Sequence, residues 1–380
     1  MIRTVLAVAA AATCVLALAA PASAAELPPL DPQRLSGAIA NLPSGEATGA
    51  LVQVRGPAGS WQGTSGIADL RTGAAIVPDS RFRIGSMTKT FTAAVALQLV
   101  AEHKLDLGQT VRHYLPEFLP ESLPADYGRI TVRNVLQYTS GIQQRDDVRP
   151  KDPDWFFAHR YDTFPHGSQL DLARDLAFEP GTYQRYGNGD YILAGLLIEK
   201  VTGHTWEDEV TRRIIRPLRL TGTSAPVAEI GICGPHAHGY QAVGDAEYAD
   251  VTDSNPSLQW SAAAVISTAP DLDRFLVALF SGRVVPREQF ALMLTPPGVD
   301  TYETGQPGPY TAGLTVFQVD GTVLYGKSGD RPGYLSGMAT TADLSRRLVY
   351  SVNTVKMGST EQQPITLRIA AAVYQNPGPR

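Results

Sequence analysis

Residues 83–100 read RIGSMTKTFTAAVALQLV, a run that is apolar on almost every side yet carries one lysine near its start. Phe91, Ala94, Val95, Leu97 and Leu99 would bury a helix here, since a helix apolar around its circumference leaves no face for water. Ser86 follows an extended stretch and opens that helix, where backbone N–H groups lack partners and the dipole favours negative charge. Lys89, three residues on, shares its face. A desolvated lysine is pushed toward its neutral, proton-accepting form, and a serine needs such a neighbour to become a nucleophile. A plainer reading has Ser86 capping the helix and Lys89 snorkelling to solvent. Lysine is scarce in this chain, six (89, 104, 151, 200, 327, 356) against 26 arginines, so each one raises the question of its purpose.

Outward from this helix, GALVQVRG (49–56) and GSWQGTSGIADL (59–70) read as strands parted by a Gly56-Pro57 turn, after a Pro- and Gly-punctuated connector with a short helix over 26–46. From about 105 to 260 the pattern is helical with long polar loops, as in ITVRNVLQYTSGI (130–142) and YILAGLLIEKVTG (191–203), the latter stopped by Gly203. Strand signals return in AGLTVFQV (312–319), an Asp320-Gly321 turn and TVLYGKSG (322–329), a hairpin signature. RRLVYSVNT (346–354) supplies another strand and ITLRIAAAVYQ (365–375) a closing helix. Strands at both ends with helices between predict an α/β (α+β) fold. One antiparallel sheet (about 45–100 and 261–380) is flanked by helices and interrupted by a mainly helical region (about 101–260).

The first 24 residues have a basic start, an apolar run from Thr4 to Ala20 and a small-residue Ala22-Ser23-Ala24 site, the pattern of a secretory signal peptide. Cleavage after Ala24 is expected, leaving 25–380 as one secreted catalytic domain. That step removes Cys14 and leaves Cys233 alone, so no intramolecular disulfide is expected. The net charge of −5 argues against a nucleic-acid partner. No later segment is apolar enough to hold the mature chain in a membrane, and a monomer is expected.

Two further motifs carry chemistry. Tyr186 and Asn188 flank Gly187 in a turn leading into a buried helix, a phenol to carry protons and an amide to donate hydrogen bonds. Lys327, Ser328 and Gly329 lie on a strand, where the glycine permits close approach of a ligand backbone. Each alone is a weak signal. Together and in this order, Ser86-Met87-Thr88-Lys89, Tyr186-Gly187-Asn188 and Lys327-Ser328-Gly329 resemble the Ser-x-x-Lys, Tyr-x-Asn and Lys/His-Thr/Ser-Gly motifs of the penicillin-recognising serine hydrolases. The likeness runs over about residues 45–375, through FRIGSMTKTFTAAVALQLVAEHKLDL, LLIEKVTGH and AAAVISTAPDLDRFLVALFSG, and is to secreted D-alanyl-D-alanine carboxypeptidases and, more distantly, class C β-lactamases.

The resemblance implies that Ser86 attacks a carbonyl to give an acyl-enzyme, that Lys89 and Tyr186 share the proton work, and that Asn188 holds the substrate amide. It implies that Lys327 adds positive charge beside Tyr186, favouring a proton-accepting phenol. It places the oxyanion hole at the backbone N–H groups of Ser86 and Asp330. Ser328, Gly329 and Asp330 would bind substrate, with Trp260 and Phe157 as candidate walls of the cleft; a core role for Trp260 stands beside that. No cofactor and no metal are expected: His236 and His238 lack a third ligand at sensible spacing. A Gly-x-Ser-x-Gly elbow is absent from the sequence.

Asp330 departs from the pattern. Carboxypeptidases of the family tend to have a hydroxyl residue there for the substrate's terminal carboxylate, and several have an arginine where Thr315 stands. A carboxylate gained and a cation missing disfavour a free carboxylate by about 1 kcal/mol in water at contact, unless Arg331 neutralises Asp330. The expected function is a D-alanyl-D-alanine carboxypeptidase acting on a small peptide or β-lactam, with peptidoglycan precursors as partners. The alternatives are a D-amino-acid peptidase, esterase or class C-like β-lactamase of the same fold, or a non-catalytic penicillin-binding protein. Asp330 itself points toward esters, internal peptide bonds or substrates with a free amine.

Overall fold

The computed structural model of the chain describes residues 27–244, 247–357 and 364–376; the leader expected over 1–24 lies outside them. A seven-stranded antiparallel sheet forms the frame. Its strands are β1 (Ala47–Arg55), β2 (Trp61–Asp69), β3 (Ala74–Ala75), β4 (Thr315–Val319), β5 (Thr322–Arg331), β6 (Tyr334–Thr340) and β7 (Arg347–Thr354), in the order β3-β2-β1-β7-β6-β5-β4. The two ends of the chain meet at its centre, where β1 pairs with β7 from Ala47↔Thr354 to Arg55↔Arg347.

Alternation along β1 explains why both faces are covered. Ala50, Val52 and Val54 point into a core shared with helices α1 (Pro32–Ala38) and α5 (Pro364–Tyr374), through Leu35, Ile365, Ile369 and Val373. Leu51 points the other way, into the larger core that holds α2 (Thr88–Ala101), α3 (Gly189–Thr202) and α4 (Ala269–Phe280). Phe91 of α2 stacks on Phe275 of α4 with ring centroids 4.0 Å apart, worth about 0.5–1.5 kcal/mol beyond area burial. Gly203 ends α3 in the left-handed conformation, φ 69°.

The 320–321 turn is a two-residue hairpin loop with positive φ at both Asp320 (46°) and Gly321 (78°). Strand β6 is the element that the sequence pattern hides, because Gly337 interrupts it. A Cβ at Gly337 would lie 2.6 Å from the Tyr350 ring, its cross-strand partner on β7, so the glycine makes room for the tyrosine. No helix among the described residues is long and apolar enough to cross a membrane.

Candidate active site

Ser86 sits in a single 3-10 turn, Gly85–Met87, and the α-helix proper begins two residues later at Thr88. No side-chain capping bond is made at either start, so Ser86 does not cap α2. Lys89 does not snorkel either: it is 0% exposed. Its ammonium nitrogen lies 3.0 Å from Ser86 Oγ, 2.7 Å from Asn188 Oδ1 and 3.1 Å from the Ala262 carbonyl. Burial, then the charges of Lys327 and Lys151, hold its pKa well below the lysine range, against an opposing pull from Asp190. A neutral amine has two N–H donors and one lone pair. In the neutral form the two carbonyl oxygens would take both N–H donors and leave the lone pair facing the Ser86 hydroxyl.

Helix α2 is fixed by its threonines as much as by its apolar residues. Thr90 donates to the Gly313 carbonyl at 2.7 Å. Thr92 donates to the Ser261 carbonyl at 2.7 Å and accepts from Trp206 Nε1 at 3.0 Å, while Thr88 accepts from the Val265 N–H. These bonds satisfy polar groups inside a buried helix and hold the first turn in register with the segment that presents Ala262.

Tyr186 comes from the turn before α3, and Asn188 is the residue on which α3 begins. The Tyr186 hydroxyl is buried and makes no well-formed hydrogen bond among the described residues, though Ser86 is near enough to lower its pKa somewhat. Burial dominates and pushes that pKa above the ordinary phenol value. Lys327 stands over the Tyr186 ring, 4.1 Å from its centroid, and 5.6 Å from that of Tyr310. This is a cation–π contact with the ring. Lys327 is itself 5% exposed, and burial lowers its pKa to about 7.

Strand β5 carries the third motif with strict alternation. Lys327, Gly329 and Arg331 are buried, while Ser328 is exposed and Asp330 is half-exposed, so the last two share the strand's exposed side. Backbones touch here: a Cβ at Gly329 would lie 1.8 Å from the Ile84 carbonyl, and one at Gly85, where φ is 51°, 2.6 Å from the Asp330 nitrogen. The turn that carries Ser86 and the Asp330 amide are therefore side by side.

Arg331 does not serve as the counter-ion of Asp330. It turns inward, buried, to hydrogen-bond Gln259 and, at 3.5 Å, Ser254. The counter-ion is Lys151, whose ammonium lies 2.5 Å from Asp330 Oδ2. Trp260 is in the core, 1% exposed, donating to Glu207 Oε1 at 2.8 Å and stacked on His166. Phe157 is half-buried on the Pro153–His159 helix against Phe156 and Arg160, in the same segment as Lys151. His238 Nδ1 bonds Asp250 and His236 Nδ1 the Gly234 carbonyl; no metal-binding group of three or more His, Cys, Asp or Glu occurs among the described residues.

Sequence reasoning missed Lys151, Tyr310 and Asp190. Asp190 had a signal, an acid two residues past Asn188 in an otherwise apolar helix start. Lys151 had only its rarity, and Tyr310 had none.

The Beta-lactamase family profile matches residues 31–373. The chain belongs to the Beta-lactamase family. Penicillin-binding protein 4 of Amycolatopsis lactamdurans is 27% identical over 350 residues, 83% of this chain and 89% of that protein. The D-stereospecific amidohydrolase of a Streptomyces species superposes with a TM-score of 0.73 at 31% identity, covering 90% of this chain and 98% of that one. D-aminopeptidase of Brucella anthropi is 28% identical over 278 residues, 71% of this chain, which spans about half (49%) of that protein's length. This Beta-lactamase family member is a serine hydrolase of the fold shared by β-lactamases and penicillin-binding proteins.

Proposed function

We propose that the protein is an exported D-stereospecific amidohydrolase that cleaves small amides and peptides through an acyl-enzyme at Ser86. The observation that carries this reading is Asp330. It puts a carboxylate, paired with Lys151, on the exposed side of the strand that flanks the nucleophile. A hydroxyl residue would donate to a substrate's terminal carboxylate there; Asp330 repels one and accepts from N–H donors. The likeness to the Streptomyces D-stereospecific amidohydrolase supports the same choice.

In the first step Ser86 Oγ bonds to the substrate carbonyl carbon and its proton passes to the Lys89 lone pair, 3.0 Å away. The amides of Ser86 and Asp330, brought together by Gly85 and Gly329, receive the carbonyl oxygen as it gains charge. Tyr186, kept protonated by burial, gives its proton to the leaving nitrogen and regains one from Lys89. Water then attacks the acyl-enzyme, gives its proton back along the same groups, and releases Ser86.

The second reading is the D-alanyl-D-alanine carboxypeptidase. Lys151 favours it, because an ammonium released from Asp330 could pair with a terminal carboxylate. Turnover of a peptide ending in D-Ala-D-Ala and of its C-terminal amide separates the two. We expect the amide to have the higher kcat/KM and Asp330→Thr to narrow the gap. Preference for the free acid would sink the amidase reading and leave the carboxypeptidase standing. N-terminal sequencing of the protein recovered from culture medium tests export, with Ala25 expected first.

A further inference from the structure

Lys151 and Asp330 form an ion pair across the cleft mouth, one partner from the polar segment after Gln144 and the other from β5. The pair is close, 2.5 Å, but exposed, with 55% of the Lys151 side chain and 32% of the Asp330 side chain open to water. Among the described residues Asp330 is the only partner of the Lys151 ammonium. No carbonyl or second acid anchors it, in contrast to Lys89 with its three contacts. Asp330 likewise has no other cation within ion-pair reach among the described residues, since Arg331 faces inward to Gln259 and Ser254. A lysine held by one contact on a flexible four-carbon stem is a replaceable ligand.

We propose that Lys151 is a resident ammonium filling the subsite in which Asp330 receives a substrate's free ammonium, and so sets the selectivity between free-amine and N-blocked amides. This rests on the amidase reading of the cleft and names its substrate class: D-amino-acid amides or peptides with an unblocked amine. The exchange is charge-neutral. One cation leaves Asp330 as another arrives, so the cleft keeps a positive charge at the place from which Lys151 acts on Lys89. An N-acylated substrate has no cation to exchange and meets the closed pair.

The test uses benzylammonium as a competitive inhibitor of p-nitrophenyl acetate hydrolysis by the full-length mature enzyme. Lys151→Met is expected to lower its Ki about two- to five-fold, the equilibrium worth of an exposed ion pair. Asp330→Asn is expected to raise it, and the double variant to match Asp330→Asn alone, because Lys151 has nothing to compete for once the carboxylate is gone. A Ki that Lys151→Met leaves unmoved or raises overturns the proposal, as does an Asp330→Asn enzyme that binds the amine as well as wild type. Acetate ester turnover reports Ser86 whichever amide the enzyme prefers. An enzyme inert toward D-amides would therefore remove the amidase reading and still answer the question about Lys151.

Discussion

Lys89 Nζ donates to Asn188 Oδ1 at 2.7 Å, so the amine beside Ser86 is aimed by an amide from another helix. Neutrality of that amide matters as much as its position. Asn188→Asp would set a carboxylate against Lys89 in a buried site, hold the lysine as ammonium and leave no lone pair for Ser86. We expect acylation to fall about 10²-fold or more, the usual contribution of a general base, and the acid limb of its pH profile to move to higher pH. Stopped-flow acylation from pH 5 to 10 reads both; an Asp variant that acylates at the wild-type rate would remove Lys89 from the role of base.

The contact between β5 and the turn that carries Ser86 gives a second prediction. A Cβ at Gly329 would meet the Ile84 carbonyl at 1.8 Å, a distance no side chain can occupy. Gly329→Ala must therefore push β5 away from the turn and misplace the Asp330 amide. Loss of one oxyanion donor costs about 10²–10³ in kcat. We expect that loss with the far-UV circular dichroism spectrum preserved, since β5 retains its pairing with β6 from Tyr325↔Thr340 onward. Near-wild-type turnover in this variant would place the oxyanion hole elsewhere.

The field around Lys89 supplies a third. After burial, Lys327 is the larger charge depressing its pKa and Lys151 the smaller. Removing a nearby positive charge lets the pKa of Lys89 rise, so the neutral amine appears only at higher pH. Both Lys327→Met and Lys151→Met should move the acid limb of kcat/KM upward, Lys327→Met by more. A downward shift in either variant contradicts the assignment of Lys89 as the group that must lose its proton.

Much of this was legible in the sequence, and what was not has physical causes. The helix over 88–101, the Asp320-Gly321 hairpin and the joining of both chain ends in one sheet follow from local periodicity and turn chemistry. Strand β6 escaped because Gly337 answers to Tyr350 on another strand, a pairing that no local window contains. Ser86, Lys89, Tyr186, Asn188 and Lys327 could be picked out because three short motifs, each weak alone, stand in the order that resembles the penicillin-recognising serine hydrolases. The Lys151–Asp330 pair could not, because it joins a polar loop to a strand far along the chain. Trp260 shows the converse: the family resemblance offers it as a cleft wall beside a core reading, and the fold puts it against Glu207, Trp206 and His166 in the core.

Asp190 yields the last prediction. It lies in the first turn of α3, 6% exposed, with one carboxyl oxygen lacking any hydrogen-bond partner among the described residues. Burial raises its pKa to about 8, with the Ser140 hydroxyl and the Lys89 charge pulling the other way. A carboxyl whose pKa is higher folded than unfolded is protonated more readily in the native state. Its stabilising contribution is complete below the unfolded value near 4 and is lost as pH rises through about 8. Asn is nearly isosteric and cannot ionise, so Asp190→Asn removes this dependence. The melting temperature of the variant should rise relative to wild type between pH 5 and pH 8. Parallel melting curves across that range would mean that Asp190 is ionised in the folded protein, held by a partner such as the Lys89 ammonium. Lys89 would then rest charged, and the proton would have to leave Ser86 by way of Tyr186.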